Sequence, residues 1–299
     1  MPKNLLKSAT ISQIIFTNSP KTIRIPNSHN MINEIKDGAF AIDSHCHLDL
    51  IEKAGIALET IISEAQKANV RILQTICTSF AQLPKIASYS KEQDFIYHSI
   101  GLHPCNVNEE NILATEHIMK LIEDCPKAIG IGETGLDFYH ESDNYQLQQQ
   151  SFAYHIEASQ ASRLPLIIHS RNADKKMAEI IISTQRNKAY PAILHCFSSS
   201  KELAEIALEN KVYLSIAGIV TFKNATELQE VVRKTPLNMM LIETDSPYLA
   251  PTPHRGKTNH PALIIETAKK IGEIKNISTE EVLKITSENF LKIFTRVQL

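Results

Sequence analysis

From residue 39 onward, short apolar, β-branched runs alternate with longer stretches of helical period, and this alternation constrains the fold more than any other feature of the chain. Strands joined by crossover helices pair in parallel. Parallel sheets are buried on both faces, so their strands read as nearly continuous apolar runs. Eight such runs occur, opening at Phe40 (FAIDSHCHL), Arg71 (RILQTICTS), Phe95 (FIYHSIGLH), Ala128 (AIGIGETGL), Pro165 (PLIIHS), Ala192 (AILHCF), Val212 (VYLSIAG) and Met239 (MMLIETD). Amphipathic helices are expected between them, for example over 57–68, 145–162, 174–184 and 201–210, with a final helical pair from 261 to the C-terminus.

Eight βα units predict a closed (β/α)8 TIM barrel of the α/β class. Residues 38–299 carry no Gly/Pro/Ser-rich linker and are read as one domain, about 260 residues long and of ordinary size for such a barrel. Residues 1–37 are read as an N-terminal extension dispensable for the fold. The first thirty contain no Asp or Glu, carry Lys3, Lys7, Lys21 and Arg24, and show no sustained period, and Met31 stands as a second possible start.

Composition narrows the function. The formal charge is −2, from 31 Lys plus Arg against 33 Asp plus Glu, so there is no long basic footprint for wrapping duplex DNA. With no Trp and 6% aromatic residues, the chain also lacks material for an extended stacking platform. Any nucleic-acid contact is therefore expected to be local, at an end. The five cysteines include no CxxC pair, which argues against a disulfide framework or a thiolate zinc site and points to the cytoplasm. No apolar run approaches the roughly 20 residues of a membrane helix, and no signal-peptide layout opens the chain.

In such a barrel the groups able to meet at one site lie at the C-terminal ends of the strands. Those ends carry His45 and His47, Glu133, His169, His195 and Asp245, all of them metal-ligand types. His45 and His47 are two apart and leave a strand on the same face, so Cys46 faces outward; Cys46 and Cys196 are read as small buried hydrophobes. Four imidazoles and two carboxylates exceed one tetrahedral ion, so two divalent ions are expected (Mg, Mn or Zn), bridged by Glu133. Asp245 serves one metal and the nucleophilic water, and Glu133 and Asp245 are the catalytic candidates. His103, Arg171, Arg255 and Lys257 are candidate substrate contacts, able to hold an anion. GIGETG lacks the GxGxxG spacing; its glycines are expected to let the strand end turn sharply and bring Glu133 close to the site.

These residues stand in DSHCHLD from Asp43, GLHP from Gly101, GETGLDF from Gly132, LPLIIHSR from Leu164, HCFS from His195, GIVTFKNA from Gly218 and IETDSPYLAPTPHRGKTNHP from Ile242. Over nearly everything after Met31 the chain resembles the TatD family of metal-dependent deoxyribonucleases, within the amidohydrolase-like barrels. The resemblance implies a divalent-metal phosphodiesterase, a 3′ to 5′ exonuclease on DNA ends or single strands, with His45, His47, Glu133, His169, His195 and Asp245 as metal site. Departures at Asn172, Ser199, Thr258 and Asn259-His260-Pro261 bear on substrate preference. The competing reading is a metal-dependent ester or amide hydrolase such as an aminoacyl-tRNA deacylase. A non-catalytic binding protein fits less well, because the ligands are intact and no broad basic, aromatic surface is evident. No obligate protein partner and no membrane association are expected.

Overall fold

The computed structural model describes residues 39–140 and 142–298, and the extension expected over 1–37 lies outside the described residues. Eight strands pair in parallel and in chain order: β1 Ala41–Cys46, β2 Val70–Thr75, β3 Ile96–Ile100, β4 Ala128–Asp137, β5 Leu166–Arg171, β6 Ala192–Leu194, β7 Tyr213–Ile216 and β8 Met240–Ile242. Every apolar run therefore becomes a strand.

The helices are α1 Leu48–Lys53, α2 Leu58–Lys67, α3 Leu83–Glu92, α4 Thr115–Asp124, α5 Tyr145–Ser162, α6 Asp174–Asn187, α7 Lys201–Glu209, α8 Thr226–Lys234, α9 Ile264–Lys275 and α10 Thr279–Ile293. The expected helix over 145–162 is met in full, and α6 runs three residues beyond its expected end.

The barrel closes at the β1/β8 seam without a regular ladder. Cys46 and Ser246 form an isolated parallel bridge. His47 N donates to Ser246 O (2.8 Å) and Asp245 N to His45 O (2.9 Å). The buried Asp43 carboxylate accepts from Thr244 N at 3.0 Å and from Thr244 Oγ1 at 2.6 Å. Because these bonds join the strand ends that carry His45, His47 and Asp245, the closure of the fold also fixes the site.

Alternation along the strands, interrupted by register shifts in β1 and β4, divides the core in two. Ile42, Ile72, Tyr97, Ile129, Ile167, Ile193, Tyr213 and Leu241, one from each strand, form one buried cluster with Phe290 and Phe294. Residues from all eight strands can meet only inside the ring, so these side chains, with Phe290 of α10 and Phe294 just beyond it, plug the barrel below the site. The larger cluster, including Ala41, Leu73, Ile131 and Ile168, packs the outer faces of the strands against helices such as α5 and α6 through Phe152 and Met177.

Two buried histidines brace the frame as neutral bases. His155 of α5 donates from Nδ1 to Ser151 O (2.7 Å) and accepts at Nε2 from Leu102 N (3.2 Å), which holds the chain leaving β3. Burial pushes His155 down to about 4. Burial, with the Lys127 charge, does the same to His98, also to about 4. A base whose folded pKa is depressed gives stability that is complete above its unfolded value of about 6.5 and is lost as pH falls from there toward 4. Each group should contribute a slope of about 1.4 kcal/mol per pH unit across that window. Urea unfolding of His155→Gln against the wild type from pH 7 to pH 4 should show a slope shallower by one proton; identical slopes would refute a neutral, buried His155.

Candidate metal centre

The centre is built outward from Glu133, whose position depends on a bulge. Between the pairs Ile131↔Leu166 and Thr134↔Ile168, β4 advances three residues while β5 advances two. The extra residue re-aims the strand so that Glu133 enters the barrel mouth. Two glycines permit this. Gly132 sits at φ +130°, where a Cβ would stand 2.5 Å from Ile167 O, and Gly135 at φ +141°, where a Cβ would stand 2.1 Å from His169 O. Any L side chain at either position would be strained and in collision with backbone. Glu133 N then donates to Cys77 O (3.0 Å), tying the bulge to the chain just beyond β2.

Around this carboxylate the predicted ligands converge. Glu133 Oε1 lies 2.7 Å from His195 Nε2, 3.0 Å from His169 Nδ1 and 3.4 Å from His103 Nε2. Its Oε2 lies 3.4 Å from His45 Nε2. Asp245 Oδ1 is 3.3 Å from His47 Nε2 and 3.7 Å from His45 Nε2. The Nε2 atoms of His45 and His47 are 3.3 Å apart, as expected from their shared face. Ligand atoms of His45, His195 and Asp245 lie mutually within 4.8 Å, as do those of His45, His47 and Glu133, so the donors fit divalent cations.

The strands stop short of several of these residues. β6 ends at Leu194 and β8 at Ile242, so His195 and Asp245 stand in the turns beyond, where Cys196 (φ +43°) and Asp245 (φ +52°) break the extended backbone.

Hydrogen bonds set the tautomers. His195 Nδ1 faces Glu243 Oε1 at 3.3 Å, so Nε2, which bonds to Glu133 through its proton, is the nitrogen that a cation would take in place of that proton. His169 Nε2 faces Asp137 Oδ2 at 3.1 Å, which leaves Nδ1 for the centre. Both are carboxylate–histidine pairs of the kind that orient metal-binding imidazoles. His103 is different. Its Nδ1 accepts from Cys105 N (3.1 Å), so in the neutral ring the proton sits on Nε2 and an N–H points into the centre. His103 therefore belongs inside the cluster, as a donor rather than a ligand.

Asp137 and Glu243 were not singled out in the sequence. The signal was available, because Asp137 shares strand parity with Glu133, and Glu243 with Asp245. Loss of such outer partners commonly costs 10–100-fold in metal affinity. Asp137→Asn and Glu243→Gln should each weaken metal binding by about that factor in competition with a chromophoric chelator. Wild-type affinity in both variants would refute the assignment.

Charge in the centre is balanced by protons. Burial would raise Glu133, but His195, His103 and His169 hold its carboxyl well below the usual range. Burial likewise opposes the ionised form of Asp245, and the His47 hydrogen bond together with the imidazole charges lowers it. Burial would lower His195, yet Glu133 and Glu243 raise it well above its ordinary value. Burial and the His195 charge lower His45. An entering cation replaces these protons, so affinity at the centre falls in acid.

The remaining expectations divide. Arg171 and Arg255 instead rest over the rings of Tyr139 (5.2 Å) and Phe222 (3.6 Å). Lys257 lies exposed in the loop after β8, and among the described residues none of these three cations pairs with the carboxylates of the centre. That loop is pinned by buried Asn259, whose Nδ2 donates to Thr244 O (2.9 Å) and Tyr248 O (2.6 Å). Cys46 is fully buried, its thiol donating to Gln74 O (3.4 Å), as expected. Cys196 departs from expectation: it is partly exposed, and burial together with the nearby Asp245 carboxylate pushes its thiol well up. The turn at Cys196 points the side chain toward the centre instead of into the core.

A sequence profile described as TatD related DNase matches residues 42–295. A protein of Buchnera aphidicola subsp. Baizongia pistaciae, described as an uncharacterized metal-dependent hydrolase, is 37% identical over 259 residues, covering 85% of this chain and 96% of its own length. The uncharacterized metal-dependent hydrolase YcfH of Escherichia coli K12 is 34% identical over 257 residues, with coverage of 85% and 96%. Among solved structures, the TatD homologue YjjV of Escherichia coli K12 superposes with a TM-score of 0.77 at 23% identity, covering 85% of this chain and 98% of that one. A TatD family hydrolase of Entamoeba histolytica superposes at 0.73 with 20% identity, covering 86% and 98%. These two show the shared barrel. The profile over most of the chain and the relatives above 30% identity show that the chain is a metal-dependent hydrolase belonging to the TatD-related DNase family.

Proposed function

We propose that this protein is a divalent-metal phosphodiesterase that removes nucleotides from the 3′ end of DNA, acting on ends or single strands with two ions in the centre. The observation that carries this reading is the donor set itself: His45, His169 and His195 surround Glu133, His45 and His47 face Asp245, and the His103 N–H is aimed at Glu133. Divalent ions held there would polarise a phosphoryl oxygen and lower the pKa of a water molecule.

The protein's own groups supply the rest. Glu133 faces four imidazoles and holds the two halves of the centre together. Asp245, kept ionised against its burial, accepts the proton of the attacking water. His103 Nε2 donates to a non-bridging phosphoryl oxygen. Tyr139, 61% exposed and carrying Arg171 against its ring, and Tyr248, 54% exposed and near the His47 ring, offer planar faces to a terminal base at two sides of the mouth. This recognition is local and needs no basic surface, consistent with the weak net charge. We place the protein in the cytoplasm, since none of its five cysteines is in a disulfide. No helix of the described residues is long and apolar enough to cross a membrane.

Metal-stripped protein, resupplied with Mg, Mn or Zn, should shorten a 3′-labelled single-stranded DNA by early loss of the label and a 5′-labelled one stepwise, and Asp245→Asn should slow this by about a hundredfold or more. No cleavage with any metal would overturn the proposal and favour ester or amide hydrolysis.

A further inference from the structure

Outside the six-residue centre, a second kind of donor cluster forms where the turns after β3 and β4 meet. A sulfur, a carboxylate oxygen and an imidazole nitrogen of Cys105, Asp137 and His140 lie mutually within 4.8 Å. Local folding brings them together. Asp137 ends β4, and its Oδ1 accepts from Tyr139 N (2.9 Å) and His140 N (2.8 Å), which curls the turn back. His140 Nδ1 thereby comes to 2.9 Å from Asp137 Oδ2. Cys105 is delivered by the 3-10 turn Pro104–Asn106, which follows His103. Asp137 is buried, Cys105 half-buried and His140 exposed, so the cluster opens to solvent on one side and a cation can enter without unfolding the chain.

We propose that Cys105, Asp137 and His140 form a further divalent-cation site, separate from the histidine-rich centre and suited to a thiophilic ion such as zinc. A thiolate, an imidazole and a carboxylate, with a fourth position left to water, make a familiar zinc donor set, whereas magnesium prefers oxygen ligands throughout. On binding, a sulfur–metal bond forms, the Cys105 thiol proton passes to solvent, and the ion displaces the hydrogen bond between His140 Nδ1 and Asp137.

The position gives the site a consequence. Asp137 Oδ2 also faces His169 Nε2 at 3.1 Å, so one carboxylate serves both clusters. A cation on Asp137 withdraws charge from its bond to His169 and loosens that imidazole, so zinc in excess of the centre's requirement should depress hydrolysis supported by Mg or Mn. This last consequence rests on the proposed function; the binding of the ion does not.

Cobalt(II) titration of metal-stripped protein tests the site directly, because thiolate ligation gives an intense near-ultraviolet charge-transfer band. The band should appear in the wild type, vanish in Cys105→Ser, weaken in His140→Ala and persist in Cys196→Ser, which removes the thiol beside Asp245. Zinc content after dialysis should fall by about one ion per chain in Cys105→Ser and in His140→Ala relative to the wild type. Both substitutions lie on partly or fully exposed turns, and a folded far-ultraviolet spectrum guards the comparison. A band that survives Cys105→Ser, or equal zinc content in the wild type and both variants, overturns the proposal. Failure of DNA cleavage with these readouts positive would count against the nuclease reading alone.

Discussion

Glu133→Gln should lower metal-dependent hydrolysis by about a thousandfold or more, beyond the roughly 10–100-fold that loss of an outer partner costs. A thousandfold corresponds to about 4 kcal/mol of transition-state stabilisation. The substitution is nearly isosteric, so its effect is chemical. Oε1 of Glu133 meets His195, His169 and His103 at 2.7, 3.0 and 3.4 Å, and Oε2 meets His45 at 3.4 Å. No other carboxylate of the centre faces four imidazoles. An amide there replaces an anion by a neutral dipole and turns one acceptor into an N–H donor facing donors. The metal content of the purified variant should fall together with its rate, because the histidines lose the charge that helps them gather cations. The glycines and the bulge that place residue 133 are untouched, so the barrel should remain intact by circular dichroism. Hydrolysis within tenfold of the wild type would remove Glu133 from the heart of the centre.

Why Glu133, His45, His47, His169, His195 and Asp245 could be found in the sequence, and their neighbours not, follows from what strand periodicity encodes. Period-2 alternation fixes which side chains share a face, and the barrel fixes which strand ends meet, so the gathering of candidate ligands from five different strands or their ends was legible in the sequence. The same alternation carries on through Gly135 to Asp137 and links Glu243 with Asp245, so these two carboxylates were within reach of the same reasoning. Features set by single through-space bonds were not. The donor character of His103 depends on an N–H of Cys105 two residues on. The thiol of Cys196 turns toward Asp245 because its backbone lies at φ +43°, a conformation that periodicity does not report. Arg171 and Arg255 offered the right charge for an anion, but where a long side chain comes to rest is decided by a nearby ring, Tyr139 in one case and Phe222 in the other. The glycines around Glu133 signalled a sharp turn, while the one-residue register shift that uses them appears only when β4 is set against β5.

Asp245→Asn should reduce hydrolysis by roughly 10²–10⁴-fold, the range over which a positioned general base contributes, while leaving more of the bound metal in place than Glu133→Gln does. Asn is the informative replacement because Asp245 lies at φ +52°, in the left-handed region that Asn tolerates and that penalises other side chains. The bonds from Asp245 N to His45 O (2.9 Å) and from Tyr248 N to Asp245 O (3.0 Å) involve only backbone and survive the change, so the β1/β8 seam stays closed. What is lost is the charge on an oxygen 3.3 Å from His47 and 3.7 Å from His45. In the wild type that carboxyl is ionised despite its burial, because the His47 hydrogen bond and the surrounding imidazole charges hold it below the usual carboxylate range, so it remains able to accept a proton at neutral pH. Single-turnover rates beside metal analysis separate its two possible contributions. A base loses rate with its metals largely kept, whereas a residue that served only as a ligand loses both in proportion. A variant that turns over within threefold of the wild type would leave water activation to the metal centre without Asp245.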